Sequence, residues 1–412
     1  MDGEPGDDMN NVTPLRGYAA FRAGETEQSD LFGTAASLWS DGATWSEQDI
    51  PVRPWIAPGY LMRGAVTVLS GPGSAGKSML TLLWCVSIAL ERRIGRFFPA
   101  PGLRALVYNV EDDADEQKRR LSSALRQNKA HPSDLVGRVM RAGPTGVGTL
   151  FRVDPLTKRL TGTEILARLE QLLEEFKPDV AFLDPMVELH DSEENDNTAI
   201  RAFMAKLRAL AARYNCAICL LHHARKGAAG TAGDPDSLRG ASAIVGAARV
   251  VLTVLTMDED EAKGLNIAAD VRRNYFRLDG AKSNYAAVQD AEWFERVPHT
   301  LMNGDVVPAA SPWTPPSIWA EVTDVDCNRA LDIIAAGPTG GGLFSAHKRG
   351  RVNDRWVGKV LVDQFGVPEE QAAAMIKIWL KNGLLVEKEF RDPIKRVDRV
   401  GVVVCDAKRP ER

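Results

Sequence analysis

The sequence predicts an α/β fold in which helices cover both faces of a mostly parallel β-sheet. Short apolar runs alternate with amphipathic helical stretches through the first two-thirds of the 412-residue chain. The first strong run leads directly into a glycine-rich loop and then into an apolar helix. Near the C-terminus the pattern changes to three helices and a hairpin, which predicts a second, smaller domain.

The elements of the first domain follow one another in a regular order. We predict strands near 65–70, 104–110, 179–184, 216–221 and 249–256, with helices near 77–91, 114–128, 162–176 and 196–213. Beyond residue 256, Leu265–Val271 and Asn274–Leu278 have the alternation of a terminal antiparallel pair. These elements define a predicted domain over 46–304.

Prolines and charge mark the predicted boundaries. Four prolines favour a semi-rigid linker over 305–322: Pro308, Pro312, Pro315 and Pro316. In the part that follows, 323–412, the sequence pattern predicts helices at 327–336, 353–365 and 368–383 and strands at 384–390 and 397–404. This order is typical of a winged-helix domain. At the other end, residues 1–45 contain eight acidic and two basic side chains, which predicts a disordered acidic tail.

The glycine-rich loop has the pattern Gly71-x-x-x-x-Gly76-Lys77-Ser78 between a predicted strand and a predicted helix. This is the P-loop pattern, in which backbone N–H groups surround the phosphates, the lysine reaches the β- and γ-phosphates, and the serine hydroxyl binds Mg²⁺. It predicts ATP and Mg²⁺ as cofactors. The predicted nucleotide-binding residues are Gly71, Gly73, Ser74, Ala75, Gly76, Lys77, Ser78 and Met79.

The same letters also contain the dinucleotide-binding pattern Gly71-x-Gly73-x-x-Gly76. A Rossmann site needs an acidic residue about 20 positions further on, at the end of the second strand. Here the second predicted strand ends much later, in Glu111-Asp112-Asp113. The dinucleotide reading also gives no role to Lys77 and Ser78, so the P-loop reading is preferred.

Composition restricts the cellular setting and the partners. Five cysteines without a framework spacing favour a reducing, cytoplasmic location. No apolar run reaches the ~18 residues that a membrane span needs, and the N-terminus lacks the pattern of a secretory signal. The net charge is −4, yet from Cys327 onward there are sixteen basic and eleven acidic residues. This basic C-terminal part is a weak indication of nucleic-acid contact, which a solvated surface explains almost as well.

Two carboxylates follow predicted strands of the first domain. Asp184 ends the apolar run Val180–Leu183, as a Walker B aspartate does, and is predicted to hold Mg²⁺. Glu111 ends the strand after the P-loop helix, and in a parallel sheet its carboxylate emerges at the same edge. We predict that Glu111 orients or activates the attacking water. The alternative is that Glu111 only complements the dipole of the following helix, a role that suits Asp112 and Asp113 better.

The strand after Asp184 ends in His222 and His223, where a polar side chain can sense the γ-phosphate. It leads into a glycine-rich loop, 225–240, that has basic residues at both ends. We predict that this loop contacts nucleic acid through Arg225, Lys226 and Arg239, the alternative being a plain surface loop.

Two basic residues occur late in the first domain. Arg249 begins the fifth predicted strand, and Lys282 lies in Ala281-Lys282-Ser283-Asn284. Either is a candidate for a finger that stabilises transferred charge across a subunit boundary. Surface salt bridging is the alternative.

Taken in order, these motifs resemble the RecA-fold ATPases that include the RepA-type hexameric replicative helicases of plasmids, phages and mobile elements. The resemblance spans about Pro51 to Tyr285 and rests on PVRPWIAPGYLMRGAVTVLSGPGSAGKS, VYNVEDD, DVAFLDP, ENDN, LLHHARKG, LRGASAIVGAARVV and AKSNY. The segment WLKNGLLVEKEF also resembles the winged-helix tails of phage relatives.

The resemblance implies a RecA-like P-loop NTPase that binds ATP and Mg²⁺ and assembles as a homo-oligomer, expected to be a hexamer. It also implies single-stranded DNA in the central channel and contact with replication partners. The matching motif positions are Lys77, Ser78, Glu111, Asp184, His223 and Arg249. DnaB-like relatives have Lys-x-Arg in the late motif, whereas Asn284 follows Lys282 here. This departure favours Arg249 over Lys282 as the finger.

Three functions are consistent with the sequence. The leading hypothesis is an ATP-driven motor on single-stranded DNA of the replicative helicase type. The second is a DNA-binding RecA-like ATPase in repair or recombination that does not unwind. The third is a nucleotide-controlled adaptor that docks a partner through its winged helix.

Overall fold

The computed structural model describes residues 46–143, 148–157, 159–192, 196–223, 242–265, 267–284, 291–319, 322–348, 355–393 and 396–411. The predicted acidic tail, 1–45, lies outside these residues. The chain forms two compact units. The first runs through Leu255 and includes Leu278–Glu292 and Arg296–Pro312; the second comprises Thr256–Arg277, Trp293–Glu295 and Trp313–Arg412.

Within the described ranges, thirteen strands precede the C-terminal helices. They are β1 (Trp55–Ala57), β2 (Leu61–Met62), β3 (Val66–Gly71), β4 (Ala105–Asn109), β5 (Val139–Ala142), β6 (Phe151–Val153), β7 (Leu160–Gly162), β8 (Val180–Asp184), β9 (Ala217–His223), β10 (Val250–Thr256), β11 (Tyr275–Ser283), β12 (Glu292–Thr300) and β13 (Val306–Trp313). The five strands predicted for the first domain are confirmed as β3, β4, β8, β9 and β10.

Nine of these strands form the main sheet, in the order β13-β12-β11-β10-β3-β9-β8-β4-β5. Strand β3 pairs in parallel with β10 and β9, and the parallel pairing continues through β8 and β4 to β5. The P-loop strand β3 is therefore central, which confirms the predicted mostly parallel sheet. Strands β3, β9 and β8 are buried on both faces, which agrees with their continuous apolar sequences.

The helices before the C-terminal part are α1 (Lys77–Ala89), α2 (Ala114–Gln127), α3 (Glu164–Phe176), α4 (Asn197–Arg213), α5 (Ser242–Ala247) and α6 (Glu259–Gly264). Side chains of Asp113, Thr163 and Asp196 accept hydrogen bonds from the first backbone N–H groups of α2, α3 and α4. The four long helices predicted for the first domain are confirmed as α1 to α4.

The core of the first unit fills the space between this sheet and its helices. One face packs Phe203, Met204 and Leu207 of α4 against apolar residues of β3, β8 and β9. On the other side, Trp84 of α1 stacks on Phe97 at 5.1 Å between ring centroids, and Tyr60 contacts both rings edge-on. These packed layers hold the ends of the central strands in fixed positions.

Two sequence predictions are wrong. The described residues of Leu265–Val271 form no strand, and they follow α6, whose start is fixed by a capping box between Asp258 and Glu261. The predicted linker over 305–322 contains β13, in which Pro308 and Pro312 occur. Strand β13 is at the edge of the sheet, and both prolines are exposed there, so neither removes a needed hydrogen bond.

The second unit contains α7 (Asp324–Ala336), α8 (Val357–Phe365), α9 (Glu369–Lys381) and the antiparallel strands β14 (Leu385–Arg391) and β15 (Asp398–Val404). Its own apolar core includes Leu331, Leu361 and Trp379. The three helices and the hairpin occur in the predicted order, although α8 begins at Val357 and the predicted start at 353 falls outside the described residues. The winged-helix assignment stays a prediction.

Among the residues placed by the structure, no helix combines the length and the apolar character that crossing a membrane requires.

Candidate functional site

The loop between β3 and α1 is a compact turn. Ser74 and Gly76 have positive φ angles of 60° and 116°. Gly76 is the residue immediately before α1, where only glycine adopts this backbone conformation without strain. Gly71 is needed for another reason, since a Cβ atom there would lie 2.3 Å from the Val254 carbonyl oxygen on β10. Glycine spacing thus lets the loop curve tightly beside β10.

Lys77 is buried at the first position of α1. Its Nζ donates hydrogen bonds to the carbonyl oxygens of Gly71 (2.8 Å) and Pro72 (3.0 Å). Burial lowers the pKa of Lys77 to about 8, against the opposing effect of the carboxylates of Asp184 and Glu111. The amine is therefore held inside the loop by the loop's own carbonyl groups.

Ser78 and Asp184 face each other across the base of the loop. The Ser78 hydroxyl donates to Asp184 Oδ2 at 2.7 Å. Burial raises the pKa of Asp184 to about 6; the Ser78 hydrogen bond lowers it and nearby Glu111 raises it. The other carboxylate oxygen, Oδ1, is buried and has no hydrogen-bond partner among the described residues.

This pair fits a magnesium ion. A buried carboxylate oxygen without a donor is destabilised until a cation or a donor reaches it. Hydroxyl and carboxylate oxygens are also the ligands that Mg²⁺ prefers. Ser78 and Asp184 are the residues that would hold the ion, directly or through water.

The register of the sheet places two further candidate groups, Glu111 and His223, on the same face as Asp184. Asn109 of β4 pairs with Asp184 of β8, and Leu183 pairs with Leu220 of β9. This register puts Asn109 and Leu221 opposite Asp184. Glu111 and His223 each follow one of these two residues by two positions. Because side chains alternate along a strand, all three side chains share a face. Ligand atoms of Glu111, Asp184 and His223 accordingly lie within 4.8 Å of one another.

His223 lies between the lysine and the glutamate. Its Nε2 is 3.7 Å from Glu111 Oε1, and its Nδ1 is 3.3 Å from Lys77 Nζ. The Glu111 side chain is 52% exposed, whereas Asp184 is buried. Solvent thus reaches one carboxylate of the cluster and not the other, which suits different chemical roles.

The neighbouring histidine, His222, belongs to the opposite face. It pairs in register with Ser70, one residue before the loop. Burial is the main cause that lowers the pKa of His222 to about 4, with Lys77 and His223 adding to the effect. His222 is therefore neutral near pH 7, and of the two it is His223 that reaches the cluster.

The predicted fingers lie at the other end of the strands. The Arg249 backbone N–H donates to the carbonyl oxygen of Val66, the first residue of β3. The loop begins five residues later at Gly71, about 16 Å away at the rise of a β-strand. Lys282 Nζ donates to the carbonyl oxygens of Val245 (2.8 Å) and Ala248 (3.1 Å), at the end of α5. Neither is placed to act on this chain's own loop.

Of the other predicted site residues, Gly73, Ala75 and Met79 lie in the loop and the first turn of α1 as expected. An added Cβ at Gly73 would meet nothing within 4 Å. The predicted DNA-contacting residues Arg225, Lys226 and Arg239 lie outside the described residues.

The structure adds one residue that the sequence did not reveal. Arg296 of β12 donates through Nη2 to the carbonyl oxygens of Ser74 (3.1 Å) and Ala75 (2.7 Å). Burial lowers the pKa of this guanidinium from its ordinary value. These two hydrogen bonds tie the loop to β12. No local signal marks Arg296, since it is 222 residues from Ser74 and on a strand that the pattern did not predict.

The fold and the site together define a P-loop ATPase domain. Comparison with known families supports this conclusion, because residues 35–229 match the family described as AAA domain. The matched region contains the loop, Glu111, Asp184 and His223, and it ends before Arg249.

Proposed function

We propose that this chain is an ATP-hydrolysing, RecA-like motor that assembles as a ring and acts on single-stranded DNA, as replicative helicases do. The supporting observation is the convergence of four groups at one edge of the parallel sheet. Lys77, the Ser78–Asp184 pair, Glu111 and His223 come from four different elements and lie within contact or near-contact distance. Such an arrangement has the parts that phosphoryl transfer to water requires.

Each group has a distinct task in this proposal. The loop amides and Lys77 bind the β- and γ-phosphates, and Ser78 and Asp184 hold Mg²⁺, which when bound neutralises phosphate charge. Glu111 is accessible to solvent and orients the attacking water. His223 is adjacent to both Lys77 and Glu111, so it senses the γ-phosphate and transmits its loss along β9.

The position of Arg249 favours an oligomer. A finger that stabilises the transferred phosphoryl group must reach the γ-phosphate, and Arg249 is about 16 Å from this chain's own loop. In the proposal it acts on the nucleotide of a neighbouring subunit, which requires a closed ring or a filament of identical chains.

A second candidate function is favoured by the C-terminal unit, which has its own apolar core of three helices and a hairpin. If this unit is a winged helix that docks a partner, the chain is a nucleotide-controlled adaptor. Such an adaptor binds ATP through the same loop, but DNA does not change its rate of ATP hydrolysis.

The deciding experiment is steady-state ATP hydrolysis with and without single-stranded DNA. We expect several-fold stimulation by DNA, and we expect Lys77→Ala to abolish both rates. Turnover that depends on Lys77 and is indifferent to DNA would contradict the motor and support the adaptor. A strand-displacement assay then separates a helicase from a DNA-stimulated ATPase that does not unwind.

A further inference from the structure

A basic cleft lies between α4 and α5, on the side of the sheet opposite to the α1 packing. The cavity has a volume of about 370 Å³ and is lined by Arg201, Arg208, Ala243, Gly246 and Ala247. Arg208 Nη1 donates to the Ala247 carbonyl oxygen at 3.4 Å, so the fourth turn of α4 lies against the end of α5. None of these residues belongs to the nucleotide site.

The two helices that form the described part of the cleft carry only basic charges. Helix α4 contains four basic residues and no acidic residue, and α5 is uncharged. Arg213, at the end of α4, forms an ion pair with Glu170. Arg201 and Arg208 are exposed and form no ion pair with any residue that the structure places. The nearest carboxylate along the helix, Asp196, accepts hydrogen bonds from the Thr198 and Ala199 amides.

The positive region continues beyond the cleft. Lys282 Nζ donates to the carbonyl oxygens of Val245 and Ala248 at the end of α5; burial lowers the pKa of Lys282, and nearby Arg249 lowers it further. Lys282 and Arg249 therefore extend the positive charge of Arg208 past the end of α5.

The shape of the cleft selects a chain of phosphates. Arg201 and Arg208 are seven residues apart, so they lie on one face of α4 and about 10 Å apart along its axis. The guanidinium group binds phosphate oxygens in a bidentate manner. Opposite them the wall is made of small residues, and an added Cβ at Gly246 would meet nothing within 4 Å. The residues that the structure describes along this wall include no aromatic ring on which bases stack.

We propose that the α4–α5 cleft binds successive phosphates of a single-stranded nucleic acid, and that Arg201 and Arg208 are the phosphate ligands. The proposal rests on the proposed function, since it names where the nucleic acid is held. Contact through phosphates alone makes the grip independent of base sequence, which is what movement along a strand requires.

The test measures binding of a fluorescent oligo(dT) to the full-length protein with a slowly hydrolysed ATP analogue at several salt concentrations. Two independent changes target the cleft: the pair Arg201→Ala and Arg208→Ala, and the single change Gly246→Glu, which adds a carboxylate to the wall opposite the arginines. We expect each to weaken binding at least tenfold at low salt. The double variant should also reduce the slope of log K against log salt by about 1.4, because two phosphate contacts are lost.

Two matched controls accompany these variants. Lys206→Ala removes a cation from the same helix but not from the cleft. Gly246→Ala adds only a methyl group at the position of the glutamate side chain. Both should bind oligo(dT) within twofold of the wild type. ATP hydrolysis without DNA should be unchanged in all of them, since the cleft lies outside the nucleotide site.

The outcomes separate the two proposals. Wild-type protein that binds oligo(dT), with unchanged affinity and salt slope in both cleft variants, would overturn the cleft and leave the proposed function intact. Wild-type protein that binds no oligo(dT) would overturn the proposed function and the cleft with it. Equal losses in Lys206→Ala and the cleft variants would show a diffuse charge effect and would also contradict the cleft.

Discussion

The inner and outer strands of the main sheet contribute to the candidate site in different ways. Strands β3, β4, β8 and β9 each end at, or within two residues of, a group of the candidate site. The outer strands β12 and β13 carry no group of the catalytic cluster, yet Arg296 of β12 holds the loop and β13 holds α2. Reacting groups thus sit in short local motifs, while the parts that position them come from far along the chain.

The largest effect should come from an inner-strand group. Glu111→Gln keeps the size of the side chain but removes the base, so we expect turnover of ATP to fall about 10³-fold. Affinity for ATP should change little, because Glu111 is half exposed and does not belong to the loop. The measurement is single-turnover hydrolysis alongside nucleotide binding.

Asp113→Asn is the matched control for Glu111→Gln. Asparagine retains the cap on the amides of α2, so the variant should fold and turn over ATP normally. Equal loss of turnover in both variants would show that negative charge anywhere at this edge of the sheet supports catalysis, and that the Glu111 carboxylate has no special role.

The second effect compares two glycines of the same loop. Gly71→Ala would place a methyl group against the Val254 backbone, and β3 and β10 cannot separate without breaking their pairing. We expect a loss of about 3 kcal/mol in the free energy of unfolding. Gly73→Ala meets no atom and should unfold within about 0.5 kcal/mol of the wild type. Denaturant titration without nucleotide measures both, and equal stability of the two variants would refute the close approach of β10.

The third effect tests the support from β12. Arg296→Ala leaves two carbonyl groups of the loop without their charged donor, so we expect KM for ATP to rise about tenfold. The turnover number should fall less, because Lys77, Asp184 and Glu111 are unchanged. Arg126→Ala is the control, as it also removes a bond from an arginine to a carbonyl oxygen, that of Thr300 on β12, but away from the loop. A rise in KM common to both variants would contradict a specific role for Arg296.

The smallest effect concerns β13. The Ser123 hydroxyl of α2 is buried and donates to the Val307 carbonyl oxygen at 2.7 Å. Ser123→Ala should therefore destabilise the fold by about 1 kcal/mol. The neighbouring Ser122→Ala, at a more exposed position, should be close to neutral, and a thermal melt of the two variants checks the difference.

The same division explains what the sequence could predict. The loop, Asp184 and Glu111 follow from spacing within a few residues, and the parallel sheet follows from the alternation of strands and helices. Which of His222 and His223 faces Asp184 depends on how β9 pairs with β8 and β3. That pairing is visible only in the folded sheet.

The missed features depend on contacts between distant segments. Strand β13 contains prolines that predict a linker unless the strand is known to lie at an edge. Arg296 is an ordinary arginine until β12 is placed beside the loop. The acidic start of α6 could have been recognised from Asp258 and Glu261, which have the spacing of a capping box.

Lys77 gives this site a particular thermodynamic behaviour. Its amine already has two carbonyl acceptors in the loop, so reaching a phosphate exchanges those hydrogen bonds for new ones. Only the difference in free energy between the hydrogen bonds to the carbonyls and those to the phosphate contributes to the affinity for bound ATP. In the proposed hydrolysis the attraction grows as negative charge accumulates on the leaving β-phosphate, and the lysine therefore favours the transition state over the bound substrate.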